Sequence, residues 1–174
     1  MKQIIIITFL HLTLFIMAQE PVKSKALKLR YTPPSNWSVE EFGGKNSWDE
    51  SGNALCHCSG VIFTKPNKDG KMNVLVYPST NSGLDSSKHY SIGNLRFEHV
   101  EKYDKTKNKH FSFEVRRSNF NDIKTKAKSY NVIRYLAKVE DHYYIIYAWQ
   151  ENMDLLNSTA EKELYEMVNA IEPL

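Results

Sequence analysis

The sequence has few of the residues that mark the special classes of protein. Only two of its 174 residues are cysteine, and it contains seven glycines and six prolines. This composition excludes a disulfide-rich scaffold, a collagen-like chain and a disordered segment rich in glycine and proline. Because 41% of the residues are hydrophobic and 12% are aromatic, the chain can bury a core, and we expect a folded globular protein.

The chain also lacks a strong charge of either sign. It has 23 lysines and arginines against 20 aspartates and glutamates, which leaves a formal net charge of +3. A chain this close to neutral exerts little long-range attraction on a polyanion. We therefore expect no nucleic-acid partner.

The short motifs of common enzymes are missing as well. The sequence contains no GxSxG nucleophile elbow, no phosphate loop, no HExxH and no paired CxxC. No two of the histidines beyond the N-terminal segment have the i, i+4 spacing of a helical metal site; they are His57, His89, His99, His110 and His142. These absences favour a non-enzymatic role without a cofactor.

The N-terminal segment has the layout of a secretory signal peptide. Lys2 precedes an apolar run from Ile4 to Met17, and the small residue Ala18 stands before the polar sequence QEP. The run is shorter than the roughly 20 residues that a membrane-spanning helix needs. We predict cleavage after Ala18, which leaves residues 19–174 as a single extracytoplasmic domain, periplasmic or secreted, with no membrane span.

Alternating apolar residues predict an antiparallel sheet with a strong hairpin near its end. The sequence YNVIRYLAKVEDHYYIIYAW, residues 130–149, reads as two strands joined by a turn near Glu140 to His142. On the second strand, alternation separates Tyr143, Ile145, Tyr147 and Trp149 from Tyr144, Ile146 and Ala148. Both sets are apolar, so this strand should be central and covered on both faces.

The end of the chain predicts a helix that covers one of those faces. Ser158 and Glu161 have the spacing of a capping box, and Pro173 should end the helix. Between them, the apolar residues with helical spacing are Ala160, Leu164, Met167, Val168 and Ile171. The other cover is expected from the N-terminal segment, from residues 78–94, or from a helical piece within residues 118–128. The predicted fold class is α+β, a single antiparallel sheet covered by helices.

This order of elements resembles the Mog1/PsbP-like group of α/β/α sandwich domains. The resemblance lies in PPSNW at 33–37, in the hairpin VIRYLAKVEDHYYIIYAW at 132–149 and in the closing VNAIEP at 168–173, and it covers most of residues 27–173. It implies that the chain folds as an α/β/α sandwich and that it is an uncharacterised bacterial secreted protein. It also implies that the protein binds or scaffolds another molecule, and enzymatic activity is not expected.

Three short stretches carry the candidate binding or redox residues. Cys56 and Cys58 flank His57. The two cysteines could form a disulfide with each other, remain as free thiols, bind a metal ion together with His57 or form an intermolecular bond. Arg116 and Arg117 could hold a carboxylate or phosphate through their guanidinium groups. The lysine-rich stretch DKTKNK, 104–109, could be a patch that binds an anionic ligand or a solvated hairpin turn, and we predict the turn because charged tips solubilise exposed edges.

Three functions from different classes follow from these observations. The first is an exported, non-enzymatic binding or accessory domain whose partner is a protein or an apolar small molecule. The alternative is a redox or metal-handling protein that uses Cys56 and Cys58, and a small hydrolase with a dispersed site is a third. The sequence names neither the partner nor the oligomeric state.

We predict that Cys56 and Cys58 form a disulfide within one chain, because exported thiols meet an oxidising compartment. The two side chains would share a face of an extended strand, farther apart than the roughly 3.8 Å between bridged Cβ atoms, so a bulge near Gly52 or Gly60 is required. Alkylation of the unreduced protein should add nothing to its mass, while alkylation after reduction should add two groups. Two groups added without reductant would show free thiols and contradict the bridge.

Overall fold

The computed structural model describes residues 20–43, 59–79, 91–92, 95–122, 129–140, 142–151 and 157–174. The strands of these residues are β1 (Val22–Ser24), β2 (Leu29–Tyr31), β3 (Ser38–Phe42), β4 (Gly60–Lys65), β5 (Met72–Ser79), β6 (Ser91–Ile92), β7 (Leu95–Lys107), β8 (Ser112–Asp122), β9 (Ser129–Val139), β10 (His142–Gln150) and β11 (Ile171–Pro173). A helix, α1 (Ser158–Asn169), lies between β10 and β11. No helix in these ranges has the length and apolar character needed to cross a membrane.

The larger of two sheets has eight strands in the order β3-β4-β5-β10-β9-β8-β7-β6, and every pairing is antiparallel. Strand β10 lies inside this sheet between β5 and β9. Its pairing with β5 runs from Tyr143 opposite Ser79 to Gln150 opposite Met72. The strand therefore has both edges hydrogen-bonded, as the predicted central position requires.

A smaller sheet and the helix cover one face of the large sheet. The smaller sheet has the order β1-β2-β11, so the N-terminal strands pair with the strand that follows α1. The first core lies beneath it and contains Leu29 and Tyr31 of β2, Phe63 of β4, Ile146 of β10 and Leu164 of α1, all almost fully buried. The N-terminal segment therefore covers the same face as the helix and is not the cover that the opposite face was expected to have.

The opposite face of the large sheet carries a second buried cluster. We call it the second face; its buried residues are Leu75, Val132, Leu136, Ile145, Tyr147 and Trp149. On β10, Ile145, Tyr147 and Trp149 belong to this cluster, whereas Tyr144, Ile146 and Ala148 belong to the first core. The predicted separation of the two apolar sets, and the burial of both, are therefore confirmed.

The predicted fold class is wrong. The protein is mostly β, with two antiparallel sheets and a single helix among the described residues, and it is not a sheet covered by helices as in an α/β/α sandwich. The helical piece expected within residues 118–128 is contradicted up to Asp122, because β8 continues to that residue and pairs with β7 and β9. The cover supplied by the N-terminal segment is also a sheet, since β2 finds a partner in β11.

The helix itself is confirmed, but both of its ends differ from the prediction. The N-cap is Asn157, whose Oδ1 accepts the backbone N–H of Ala160 at 2.9 Å, and it stands one residue before the expected Ser158. The helix ends at Asn169, where the N–H of Ala170 reaches carbonyls of the preceding turn. It ends before Pro173 because the last residues pair with β2.

Gly60 permits close packing at the start of β4. A Cβ atom at this position would lie 2.5 Å from the carbonyl oxygen of Val76 and 2.8 Å from Cζ of Phe42. A contact with backbone at that distance cannot be relieved by moving a side chain. Gly60, one of the two glycines near which the cysteine bridge would require a bulge, therefore has a packing role in β4.

We predict that Leu164→Ala lowers the free energy of unfolding by about 2 to 5 kcal/mol. The side chain of Leu164 is completely buried in the first core, so its truncation leaves a cavity. Lys162→Ala is the matched control on the same helix, since the side chain of Lys162 is 77% exposed. Urea unfolding of both variants measures the effect. A loss below about 0.5 kcal/mol for Leu164→Ala would contradict the packing of α1 on the sheet.

Candidate binding groove

An open groove with a volume of about 730 Å³ lies on the second face of the large sheet. Its volume falls within the roughly 300 to 1,000 Å³ typical of small-molecule sites. It is formed by β7, β8, β9 and β10 near the β7–β8 and β9–β10 turns, and it is lined by Lys105, Thr106, Lys107, Ser112, Phe113, Glu114, Leu136, Lys138 and Tyr143.

The outer part of the groove is a row of four side chains that lie directly opposite one another. Lys107 on β7 is opposite Ser112 on β8, Ser112 is opposite Lys138 on β9, and Lys138 is opposite Tyr143 on β10. We call these four residues the basic row. Cross-strand partners on one face of an antiparallel sheet are near neighbours, so the register places one lysine on each side of the Ser112 hydroxyl.

The row next to it is apolar at its centre. The register aligns Lys105, Glu114, Leu136 and Ile145 in that order across the same four strands. Leu136 and Ile145 are each only 3% exposed, and Leu136 lines the groove, while Lys105 and Glu114 are cross-strand neighbours of opposite charge. We call these four residues the inner row.

Farther along the strands, the second face becomes fully buried. Arg134 is opposite Tyr147, and the two are 2% and 0% exposed. Burial raises the pKa of the Tyr147 phenol, and the positive charge of Arg134 opposes this rise. Along β9 the residues of this face pass from the buried Arg134 through Leu136 to the exposed Lys138. The groove therefore lies where the face changes from buried to solvated.

The groove is positively charged and contains an aromatic ring. Its lining contains three lysines and one glutamate, so the local charge is positive. The ammonium of Lys138 lies 5.6 Å from the centre of the Tyr143 ring, which is within the range of a cation–π contact. The half-buried Tyr143 thus positions a cation and presents an aromatic surface to the groove.

The lysine-rich stretch 104–109 is mainly strand, and its prediction as a hairpin turn is wrong for the groove lysines. Strand β7 runs to Lys107, so Lys105 and Lys107 share one face of the sheet. The turn begins at Asn108, whose Oδ1 accepts the backbone N–H groups of His110 at 2.9 Å and Phe111 at 2.7 Å. Placing the turn after position 107 would have put both lysines on the sheet.

The β7–β8 turn is attached to the end of the chain. Asn108 Nδ2 donates to Asn169 Oδ1 at 2.9 Å, and His110 Nε2 lies 3.3 Å from Glu172 Oε1. The other carboxylate oxygen of Glu172 accepts from Arg30, with Nε at 2.9 Å. These contacts fix the turn against the small sheet and so position the groove wall formed by β7 and β8.

The residues singled out from the sequence are distributed differently. Cys56, His57 and Cys58 lie outside the described residues, so their state stays a prediction. Arg116 and Arg117 are adjacent on β8, but the side chain of Arg116 lies outside the described part of the structure, so a site formed by the two stays a prediction. The guanidinium of Arg117 does hold a carboxylate, that of Glu161 on α1, with Nη2 3.0 Å from Oε2.

No metal site is found in the described part of the chain. It contains no group of three or more His, Cys, Asp and Glu side chains placed to hold an ion. His110 lies against Glu172, whereas Nε2 of His142 lies 2.9 Å from Nζ of Lys28. These two histidines therefore have different neighbours and do not form one metal site. Among the groups described, the groove is the better candidate site.

A second cavity of about 240 Å³ lies beside Glu41 and Gly60. Both carboxylate oxygens of Glu41 already accept hydrogen bonds, one from Ser24 Oγ at 3.0 Å and the other from the Tyr31 hydroxyl. This arrangement links β1, β2 and β3 and accounts for the carboxylate. The cavity is therefore a weaker candidate than the groove.

No protein-family model matches the chain, and no curated protein is similar to it in sequence. The resemblance to the Mog1/PsbP-like group accordingly stays a prediction that rests on the layout of the sequence.

We predict that Glu172→Gln destabilises the protein at neutral pH and that its effect declines in acid. The hydrogen bond from Arg30 lowers the pKa of Glu172, helped by the charges of Arg30, His110 and Lys109 and opposed by desolvation. Because the pKa is lower in the folded state, the stabilisation is complete above the unfolded carboxyl value of about 4.3 and is lost as the pH falls through the folded value.

Urea unfolding of both proteins between neutral pH and pH 3 measures this difference, with the exposed Glu166→Gln as the control for removal of a carboxylate. A destabilisation by Glu172→Gln that is the same at every pH would contradict the role of the ionised carboxylate.

Proposed function

We propose that the mature chain is an extracytoplasmic, non-enzymatic binding domain and that the groove holds a small molecule with an apolar part. The observation that carries the proposal is the presence of exposed lysines beside an apolar and an aromatic side chain, Leu136 and Tyr143, in one open groove. An accessory domain that binds only another protein does not require such a groove. The volume of the groove and its lining by Leu136 and Tyr143 favour a small molecule.

Exposure of the lysines favours binding over catalysis. A serine can act as a nucleophile when a nearby lysine serves as its base, and such lysines are desolvated so that they lose their proton easily. Ser112 has a lysine on either side, but Lys107 and Lys138 are both exposed to solvent. Solvated ammonium groups are suited to attracting an anion rather than to abstracting a proton.

The redox or metal-handling alternative depends on Cys56 and Cys58 alone. None of the described contacts favours it over binding in the groove, and the alkylation experiment on the cysteine pair addresses it separately.

The proposal is tested with 2-naphthamide, a neutral aromatic probe, titrated into the ¹⁵N-labelled mature protein. We expect the largest shift changes at amides of the basic and inner rows, because these residues surround the groove. Tyr143→Ala should weaken binding by about two- to tenfold through loss of its ring contact. The matched control is Tyr165→Ala, which removes a half-buried ring that packs against the first core.

Shift changes that cluster away from the groove would contradict the proposal. So would a Tyr143→Ala variant that binds the probe as well as the parent protein does. Native-like spectra of both variants in the absence of probe separate a loss of binding from a loss of folding.

A further inference from the structure

We propose that the ligand is a small amphipathic anion. Lys107, Ser112 and Lys138 hold its carboxylate or phosphate head group, while Leu136 and Tyr143 contact its apolar body. This inference rests on the proposed function and names the class of molecule that the groove binds.

The basic row has the geometry of an anion cradle. Neighbouring strands lie about 4.8 Å apart, so the backbones at Lys107 and Lys138 are about 10 Å apart with Ser112 between them. Both lysines are exposed and have long, flexible side chains, which allows their ammonium groups to approach a single anion above the serine. The Ser112 hydroxyl can donate a third hydrogen bond from below.

The distribution of carboxylates leaves this position positive. Glu114, the carboxylate of the groove lining, lies in the inner row opposite Lys105 and therefore one row away from Lys107 and Lys138. No aspartate or glutamate lies in the basic row, whose four members are two lysines, a serine and a tyrosine. An anion at the centre of the row is therefore attracted from both sides, by Lys107 and by Lys138.

The apolar part of the groove lining fixes the orientation of the ligand. Leu136 and the half-buried Tyr143 line the groove beside the lysines. An apolar body in contact with these two side chains leaves the head group of the ligand at the lysines. A neutral apolar molecule would leave the lysines without a counter-charge, and a wholly polar anion would gain nothing from Leu136 and Tyr143.

Three probes of matched shape test the inference: 2-naphthoate, 2-naphthyl phosphate and the neutral 2-naphthamide. At low salt, at least one of the two anions should bind about tenfold more tightly than the amide, and its advantage should shrink as the ionic strength is raised toward about 0.5 M. Comparison of the two anions identifies whether the cradle prefers carboxylate or phosphate.

Variants then assign the preference to the row. The double variant Lys107→Gln/Lys138→Gln should bind the anions and the amide with similar affinity, because the ring contact remains and the charges are gone. Ser112→Ala should reduce binding of the anion by a few-fold more than it reduces binding of the amide, because a hydrogen bond to a charged acceptor is stronger. Lys162→Gln is the control for a lost positive charge, since this lysine lies on α1 and away from the groove.

The possible failures are distinct. If the amide binds in the groove but neither anion has an advantage, or if the advantage survives in the double variant, the proposed ligand class is wrong while the binding function stands. If none of the three probes shifts the groove amides, the proposed function itself is overturned.

Discussion

The structure depends on one constraint, the apolar character of both faces of β10. The strand carries Tyr144 and Ile146 on one face and Ile145 and Tyr147 on the other. If either face of the sheet were open to solvent here, a large apolar area would be exposed. Pairing with β5 on one edge and β9 on the other satisfies its backbone, and burial of both faces satisfies its side chains. The helix, the small sheet and the apolar cluster of the second face are arranged around this strand.

The groove is a consequence of where that apolar character stops. On β9 the second face passes from the buried Leu136 to the exposed Lys138, and the register aligns Lys138 with Ser112 on β8 and, beyond it, with Lys107 on β7. Because every strand has a period of two, residues at corresponding positions appear as a row across the sheet. The two lysines of this row lie beside the apolar Leu136 and the aromatic Tyr143, so the groove is amphipathic.

The central hairpin and α1 could be predicted because each is decided by its own periodicity. Position 147 alternates with its neighbours, and Leu164 belongs to a helical stripe, so burial of both follows from local pattern alone. The small sheet could not be predicted in this way, because β2 and β11 are short and distant in the chain, and their pairing is a property of tertiary structure. The basic row was missed for a related reason: its members come from four strands, and only their register brings them together.

The position of the groove is coupled to the chain end through the β7–β8 turn. Lys107 is the last residue of β7, and the next residue, Asn108, hydrogen-bonds both its own turn and Asn169 at the end of α1. Two residues farther on, His110 meets Glu172 in the small sheet. The turn, residues 108–111, lies beyond the last β7–β8 pair, Lys107 with Ser112, so strand pairing does not hold its tip in position. Attachment of the tip to the helix and the small sheet limits its movement, so the packing of the first core helps to set the distance between the lysines of the second face.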